Sequence, residues 1–113
     1  MSKYKSKTTI RTLGKETITF DSVKEAKRFD TLYMLLKSKK ITKLILQPHF
    51  VLQDGFRDKL GKKHQQITYS ADFKYTKDGT EVVEDAKGYK TEVYRIKKKL
   101  LLYKFPNINF IET

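Results

Sequence analysis

QITYSADFKYTKDGTEVVEDAK, residues 66–87, decides how this chain folds. Its first half alternates. Ile67, Tyr69, Ala71, Phe73 and Tyr75 are apolar while Thr68, Ser70, Asp72 and Lys74 are polar, the period of two that sends successive side chains to opposite faces of a strand. Asp78-Gly79 is a strong two-residue turn signal, because a type I′ hairpin needs positive φ at both central positions. Thr80 to Lys87 is the returning strand and Gly88 ends it. With Asp78-Gly79 as the loop, Lys77 pairs with Thr80, and counting down the ladder brings Asp72 opposite Asp85 and Ser70 opposite Lys87. Asp85 and Lys87 are two apart and share a face, so Asp72, Asp85 and Lys87 converge on one side of the hairpin.

Two carboxylates directly opposite on a sheet are destabilising, by up to about 1 kcal/mol, and this pair calls for a compensating cation. Lys87 supplies part of it and a divalent metal the rest. Mg²⁺ typically takes one or two carboxylates together with waters and phosphate oxygens, and the carbonyl of Ala86, between the two functional side chains, is a further candidate ligand. The Lys87 ammonium is suited to orient or help deprotonate an attacking water, or to steady developing charge. The competing reading is an ordinary same-face ion pair between Asp85 and Lys87 on a surface hairpin. A turn of three or four residues would dissolve the pairing altogether.

Outward from this hairpin, Ser22 to about Ser38 reads as a helix. Ser22 and Glu25 have the spacing of a capping box, and Ala26, Phe29, Leu32, Tyr33 and Leu36 form the apolar stripe. Glu25 lies on or beside that stripe, an unusual place for a carboxylate; it is either a third acid directed to a metal or simply the capping residue. Strand-rich stretches from Thr8 to Thr12 and from Glu16 to Phe20 flank Leu13-Gly14-Lys15 and predict an N-terminal hairpin. Leu44 to Gln53 is strand-like and bent or broken by Pro48, and Asp54 to Lys63 is expected to be a loop. On the other side, Thr91 to Lys104 reads as a second helix with Val93, Ile96, Leu100 and Tyr103 on one stripe, stopped by Pro106, and Ile108 to Ile111 is a last strand. The order is helix, three strands, helix, strand behind an N-terminal hairpin: one small α+β or α/β domain spanning residues 1–113.

The charge balance points to a polyanion. Lys and Arg total 25 against 13 acids, a net charge of +12. Yet Asp72, Asp78, Glu81, Glu84 and Asp85 put five of those 13 acids within 14 residues. Carboxylates repel phosphate, a conflict that a bridging divalent cation removes. The second helix is basic through Lys90, Arg95, Lys97, Lys98, Lys99 and Lys104, and Tyr94 and Lys98 are four apart on one face. It reads as a phosphate-binding helix beside the acidic cluster, or as a solvated face. The chain has no cysteine, which excludes disulfides, thiolate metal sites and cysteine nucleophiles. His49 and His64 are too few and too isolated for a metal site. No apolar run approaches the roughly 20 residues of a membrane span, and no apolar stretch follows the basic N-terminus as a secretory signal would require.

The stretches Phe20-Asp21-Ser22 through Glu25-Ala26, Leu46-Gln47-Pro48 through Phe50, Thr68-Tyr69 through Asp72-Phe73, Val83-Glu84-Asp85 through Lys87-Gly88, and Tyr94 through Lys97 to Leu100 resemble a family of small phage-encoded proteins. That family, formerly catalogued as a domain of unknown function, is similar to a minimal PD-(D/E)xK nuclease with a restriction-endonuclease-like core, and is grouped with phage Holliday junction resolvases. The resemblance covers nearly all of the chain from Phe20 onward. It implies Glu25 as the first-helix acid, Asp72 as the "PD" aspartate, and Asp85 with Lys87 as the "(D/E)xK" pair; Ala71 stands where the family pattern has proline.

The expectation is therefore a Mg²⁺- or Mn²⁺-dependent DNA endonuclease acting on branched or structured DNA. Asp72 and Asp85, with Ala86, hold the metal, Glu25 assists, and Lys87 positions the water. Lys24, Arg28, Lys90, Tyr94, Lys97 and Lys98 hold the nucleic acid. Two symmetric cuts in a four-way junction need two sites, hence a homodimer. The location implied is the cytoplasm of a bacterial host carrying a phage or prophage. The alternatives are a non-catalytic nucleic-acid-binding module and a phage accessory protein that binds a host protein.

Overall fold

The computed structural model describes residues 8–86 and 90–113. The chain divides into two compact units, Met1–Thr42 and Lys43–Thr113.

The N-terminal unit is a hairpin and a helix. β1 (Thr9–Leu13) and β2 (Glu16–Phe20) are antiparallel, with Leu13 opposite Glu16. Gly14, the first residue of the two-residue loop, has a φ of +60°. α1 (Val23–Lys37) has the expected limits because both ends are chemically capped. The Ser22 hydroxyl accepts a hydrogen bond from the Glu25 N–H at 3.1 Å. At the other end Lys39 takes a left-handed conformation, φ +61°, while the N–H groups of Lys39 and Lys40 return to the carbonyls of Leu36 and Leu35, a Schellman closure. Ala26, Phe29 and Leu32 are buried as the stripe predicts, and Phe29 packs 5.1 Å from the Phe20 ring. A two-pronged ion pair ties β1 to α1: Arg11 Nε and Nη2 donate to Asp30 Oδ1 and Oδ2 at 2.8 and 2.9 Å.

In the second unit, β3 (Thr42–Leu46) and β4 (His49–Gln53) are one stretch of chain interrupted at Gln47-Pro48, where Gln47 has a φ of +50°. β5 (Phe56–Arg57) and β6 (Lys63–His64) form a very small hairpin inside the segment expected to be a loop. Its tip is organised by Asp58, whose Oδ1 accepts from the N–H groups of Leu60 and Lys62 at 2.9 and 3.0 Å. Asp58 Oδ2 lies 2.9 Å from His64 Nε2, and the Phe56 and His64 rings stack at 4.8 Å. His64 thus has a structural role, carried by neighbours that periodicity does not report.

β7 (Ile67–Ser70) and β8 (Phe73–Lys77) replace the single expected strand, interrupted at Ala71-Asp72. This break faces the one at Gln47-Pro48: the Gln47 N–H donates to the Asp72 carbonyl at 2.9 Å and the Ala71 N–H to the Pro48 carbonyl at 3.1 Å. β9 (Thr80–Asp85) returns antiparallel to β8, and α2 (Glu92–Lys104) then crosses to β10 (Asn109–Glu112), which lies parallel to β9. The strand order is β10-β9-β8-β3, and β4 pairs separately with β7. The architecture is a mixed α+β one with two helices and several small sheets among the described residues. No helix among them is long and apolar enough to cross a membrane.

One expectation about α2 is overturned. Its anticipated apolar stripe faces outward: Val93 is 61%, Ile96 59% and Tyr103 88% exposed. The buried residues are Tyr94 and Leu101, which pack with Phe50, Tyr69, Ala71 and Val83. The stripe has the higher hydropathy, but an aromatic ring and one leucine are what pack against the residues offered by β4, β7 and β9.

Candidate active site

The predicted hairpin register is present. Lys77 pairs with Thr80 and Phe73 with Glu84, and Asp78 and Gly79 both have positive φ, +51° and +79°. Extending that ladder by one pair brings Asp72 to Asp85, but the backbone departs from it there: the Asp72 N–H donates to the Glu84 carbonyl at 3.0 Å. The Asp72 side chain then turns to the end of β9, where Oδ2 accepts from the Ala86 N–H at 2.6 Å. Asp72 thus anchors the backbone immediately before residue 87. Ala86 enters this contact through its N–H. Lys87, the predicted water-positioning residue, lies outside the described residues.

Glu84 and Asp85 are each 1% exposed. Burying two adjacent carboxylates is costly unless each is hydrogen-bonded. Consecutive strand residues point to opposite faces, and each face supplies a tyrosine. The Tyr75 hydroxyl donates to Glu84 Oε2, and the Tyr69 hydroxyl donates to Asp85 Oδ2. Burial, reinforced by the bond to Asp85, raises the pKa of Tyr69 and keeps it a donor.

Beside Asp85 the parallel strand brings Glu112, its register partner. Glu112 Oε2 accepts from the Tyr94 hydroxyl at 2.5 Å, and Oε1 lies 3.0 Å from Lys98 Nζ and 3.4 Å from Lys90 Nζ. The Tyr94 bond first, and then Lys98, pull the Glu112 carboxyl down to about 2. Burial, with the Glu112 bond second, pushes Tyr94 up. The Tyr69 and Tyr94 rings pack 6.2 Å apart, so two carboxylate–tyrosine pairs stand side by side between the sheet and α2.

Tyr94 and Lys98 do share a face, as their spacing predicts, but that face turns inward onto Glu112. Tyr94 is a core residue, 6% exposed, rather than a surface group for nucleic acid. Lys90 is exposed, Lys97 and Lys98 are half-buried, and Lys97 lines a shallow concavity of about 400 Å³ with Thr68, Tyr69 and Thr91. In the N-terminal unit Glu25 is buried and its backbone N–H donates to the capping Ser22 hydroxyl, Lys24 is exposed and Arg28 is half-buried. Sequence reasoning missed Tyr69, Tyr75 and Glu112. The available signal was tyrosine rather than phenylalanine at two buried strand positions next to an acidic pair.

The donor chemistry of this corner suits a hard divalent cation. Asp72 is half-buried, and its Oδ1 accepts no hydrogen bond among the described residues. Tyr69 holds Asp85 in a fixed orientation. Among the described residues no group of three or more His, Cys, Asp or Glu is positioned to hold a metal. A two-carboxylate corner fits an ion that keeps much of its water shell, as Mg²⁺ does, rather than a closed cage.

No curated protein and no solved structure matches the chain. A family model does match, over residues 1–112, and the chain belongs to that family, described as "Protein of unknown function (DUF1064)".

Proposed function

We propose that this chain is a metal-dependent DNA endonuclease of the PD-(D/E)xK type that hydrolyses phosphodiesters in branched or structured DNA. The observation that carries the reading is the corner where the Asp72 carboxylate, at the break before β8, accepts from the Ala86 N–H next to Asp85 at the end of β9, directly before Lys87. Asp72 and Asp85 would hold Mg²⁺ or Mn²⁺, with the Ala86 carbonyl as a further ligand. The metal, when bound, supplies Lewis-acid activation of water and of the phosphoryl oxygens. Tyr69 orients Asp85, and Asp72 fixes the backbone entering residue 87, the lysine that positions the water. Net charge +12 supports a phosphate-backbone partner. Lys24, Arg28, Lys90, Lys97 and Lys98 are the groups we assign to that contact. In this reading Lys90 and Lys98 exchange Glu112 for phosphate.

A test is cleavage of labelled four-way junction, flap, single-stranded and linear duplex DNA with Mg²⁺, Mn²⁺ or EDTA, comparing the wild type with Asp85→Ala. Metal-dependent cutting by the wild type that the variant loses is the expected result. Salt-sensitive binding without cutting of any substrate, by folded protein with either metal, would replace the enzyme with a nucleic-acid-binding module. A salt-insensitive protein complex without DNA affinity would point to a host-protein partner.

A further inference from the structure

β5 and β6 contribute two residues each, and a hairpin that small is marginal in water. It is nevertheless closely held. Both carboxylate oxygens of Asp58 are engaged, Oδ1 by the N–H groups of Leu60 and Lys62 and Oδ2 by the His64 ring. The Asp58 carbonyl accepts from the Gly61 N–H at 2.9 Å, and Arg57 Nη1 donates to the Gly61 carbonyl at 3.0 Å. What this network displays faces solvent. Leu60, at the tip, is 92% exposed. Arg57, Lys59, Lys62 and Lys63 flank it in the chain and are all exposed. Arg57 and Lys63 are register partners, so two like charges stand directly opposite, an arrangement that destabilises a hairpin. No carboxylate among the described residues forms an ion pair with Lys59, Lys62 or Lys63. The hairpin's one acid, Asp58, is occupied by the turn.

We propose that the β5–β6 hairpin is a wedge for branched DNA: Leu60 enters between bases at the branch while Arg57, Lys59, Lys62 and Lys63 contact the phosphates beside it. The inference rests on the reading of DNA as the partner, and it names the element that selects the branched form. Four cations between residues 57 and 63, without an internal counter-charge, suit a phosphate backbone. A lipid surface would call for more apolar side chains than one. Leucine is among the side chains that DNA-bending proteins insert between base steps. In a continuous duplex the insertion must first unstack a step, at a cost comparable with the gain from burying one leucine. At a branch the stacking is already interrupted, so the gain remains. Leu60 therefore contributes little on linear duplex and much on a branch. The bonds from Asp58 fix the tip beforehand, which limits the ordering cost of binding. The four residues of β7 separate the hairpin from the Ala71-Asp72 break by roughly 13 Å, so substitutions at the tip leave the Asp72 corner untouched.

The test is fluorescence anisotropy of the full chain in EDTA, where metal-dependent cutting stops, on a labelled four-way junction and on linear duplex of the same length. Leu60→Ala is expected to lower junction affinity by roughly tenfold and to leave duplex affinity within about twofold of the wild type. Lys62→Ala and Lys63→Ala weaken binding to both DNAs, and each reduces the slope of log affinity against log salt by about 1. Circular dichroism and Tm stay near the wild type in all three variants, because these side chains are exposed. The chain has no cysteine, so Leu60→Cys labelled with benzophenone maleimide reports one position; its photocrosslinks are expected at the nucleotides next to the branch. A Leu60→Ala variant that keeps the wild-type ratio of junction to duplex affinity, or crosslinks spread evenly along the arms, would overturn the wedge. So would variants with intact DNA affinity that lose binding to polyglutamate, which would give the hairpin an acidic protein partner. A wild type that binds the junction and never cuts it with either metal removes the endonuclease and leaves the wedge standing. One that cuts it, while Leu60→Ala binds as tightly as the wild type, removes only the wedge. A wild type without DNA affinity removes both.

Discussion

The hydroxyl of Tyr69 donates a hydrogen bond to Oδ2 of Asp85, a carboxylate that is 1% exposed. Tyr75, six residues further along the same stretch of chain, makes the equivalent bond to Glu84 on the opposite face of β9. Each tyrosine lets one buried carboxylate remain inside the protein, and the two differ in which face of the sheet they serve.

Tyr69→Phe removes the tyrosine donor from Asp85 and is expected to cost about 1–3 kcal/mol in denaturant unfolding. Tyr75→Phe should cost a similar amount through Glu84. Under the proposed function the two separate in calorimetric titration with Mn²⁺. Tyr69→Phe lowers metal affinity by about 10- to 100-fold, as loss of a ligand-orienting partner does, whereas Tyr75→Phe leaves it near the wild-type value. Equal metal affinity in both variants would remove the special role of Tyr69.

Glu112 makes stability depend on acid. Its folded-state pKa is depressed from 4.5 to about 2, with the Tyr94 bond as the largest cause and Lys98 next. A depressed carboxyl contributes its full stabilisation above the unfolded value, and that contribution falls away as pH drops from 4.5 toward 2. Glu112→Gln is therefore expected to lower stability at neutral pH and to flatten the wild-type loss across that window. Thermal unfolding from neutral pH down to pH 2 measures both. An unchanged slope in the variant would show that other groups carry the acid sensitivity.

The orientation of α2 can be read from two neighbouring leucines. Leu101 is fully buried and Leu102 is 36% exposed. Leu101→Ala is expected to lose about 2–5 kcal/mol, while Leu102→Ala stays within about 1 kcal/mol of the wild type in urea unfolding. The reverse ranking would mean that the helix is rotated.

The turn that sets the register can be strained without touching a contact. Gly79 has a φ of +79°, and a Cβ added there would meet nothing within 4 Å. Gly79→Ala should therefore cost about 1–2 kcal/mol from backbone conformation alone. Gly61, at φ +84° in the small β5–β6 hairpin, is the comparison position: its alanine variant should lose stability by a similar amount without affecting the Asp72–Ala86 contact. Amide exchange at Ala86 follows that contact in both variants.

Much of the secondary structure was legible because its signals are local. Ser22 opens α1, Pro48 marks the break between β3 and β4, and Asp78-Gly79 supplies the positive φ values that pair Lys77 with Thr80. Each rests on the geometry of a few adjacent residues. From that turn alone, pleat counting brings Asp72 to the end of β9, although the backbone leaves the ladder there and the Asp72 side chain settles on the Ala86 N–H.

What the tertiary structure decided is which face each side chain takes beyond a break. An uninterrupted strand would put Tyr69 and Tyr75 on the same face; the interruption at Ala71-Asp72 sends Tyr69 to Asp85 and leaves Tyr75 on Glu84. Hydropathy likewise ranks the Val93–Tyr103 stripe above Tyr94 and Leu101, yet it is the latter pair that the sheet surface accepts. Glu112 joins the site only because β10 lies parallel to β9, 27 residues on from its register partner Asp85. Turns and caps are determined within a few bonds. Burial and carboxylate partners depend on surfaces that exist only once distant segments have packed.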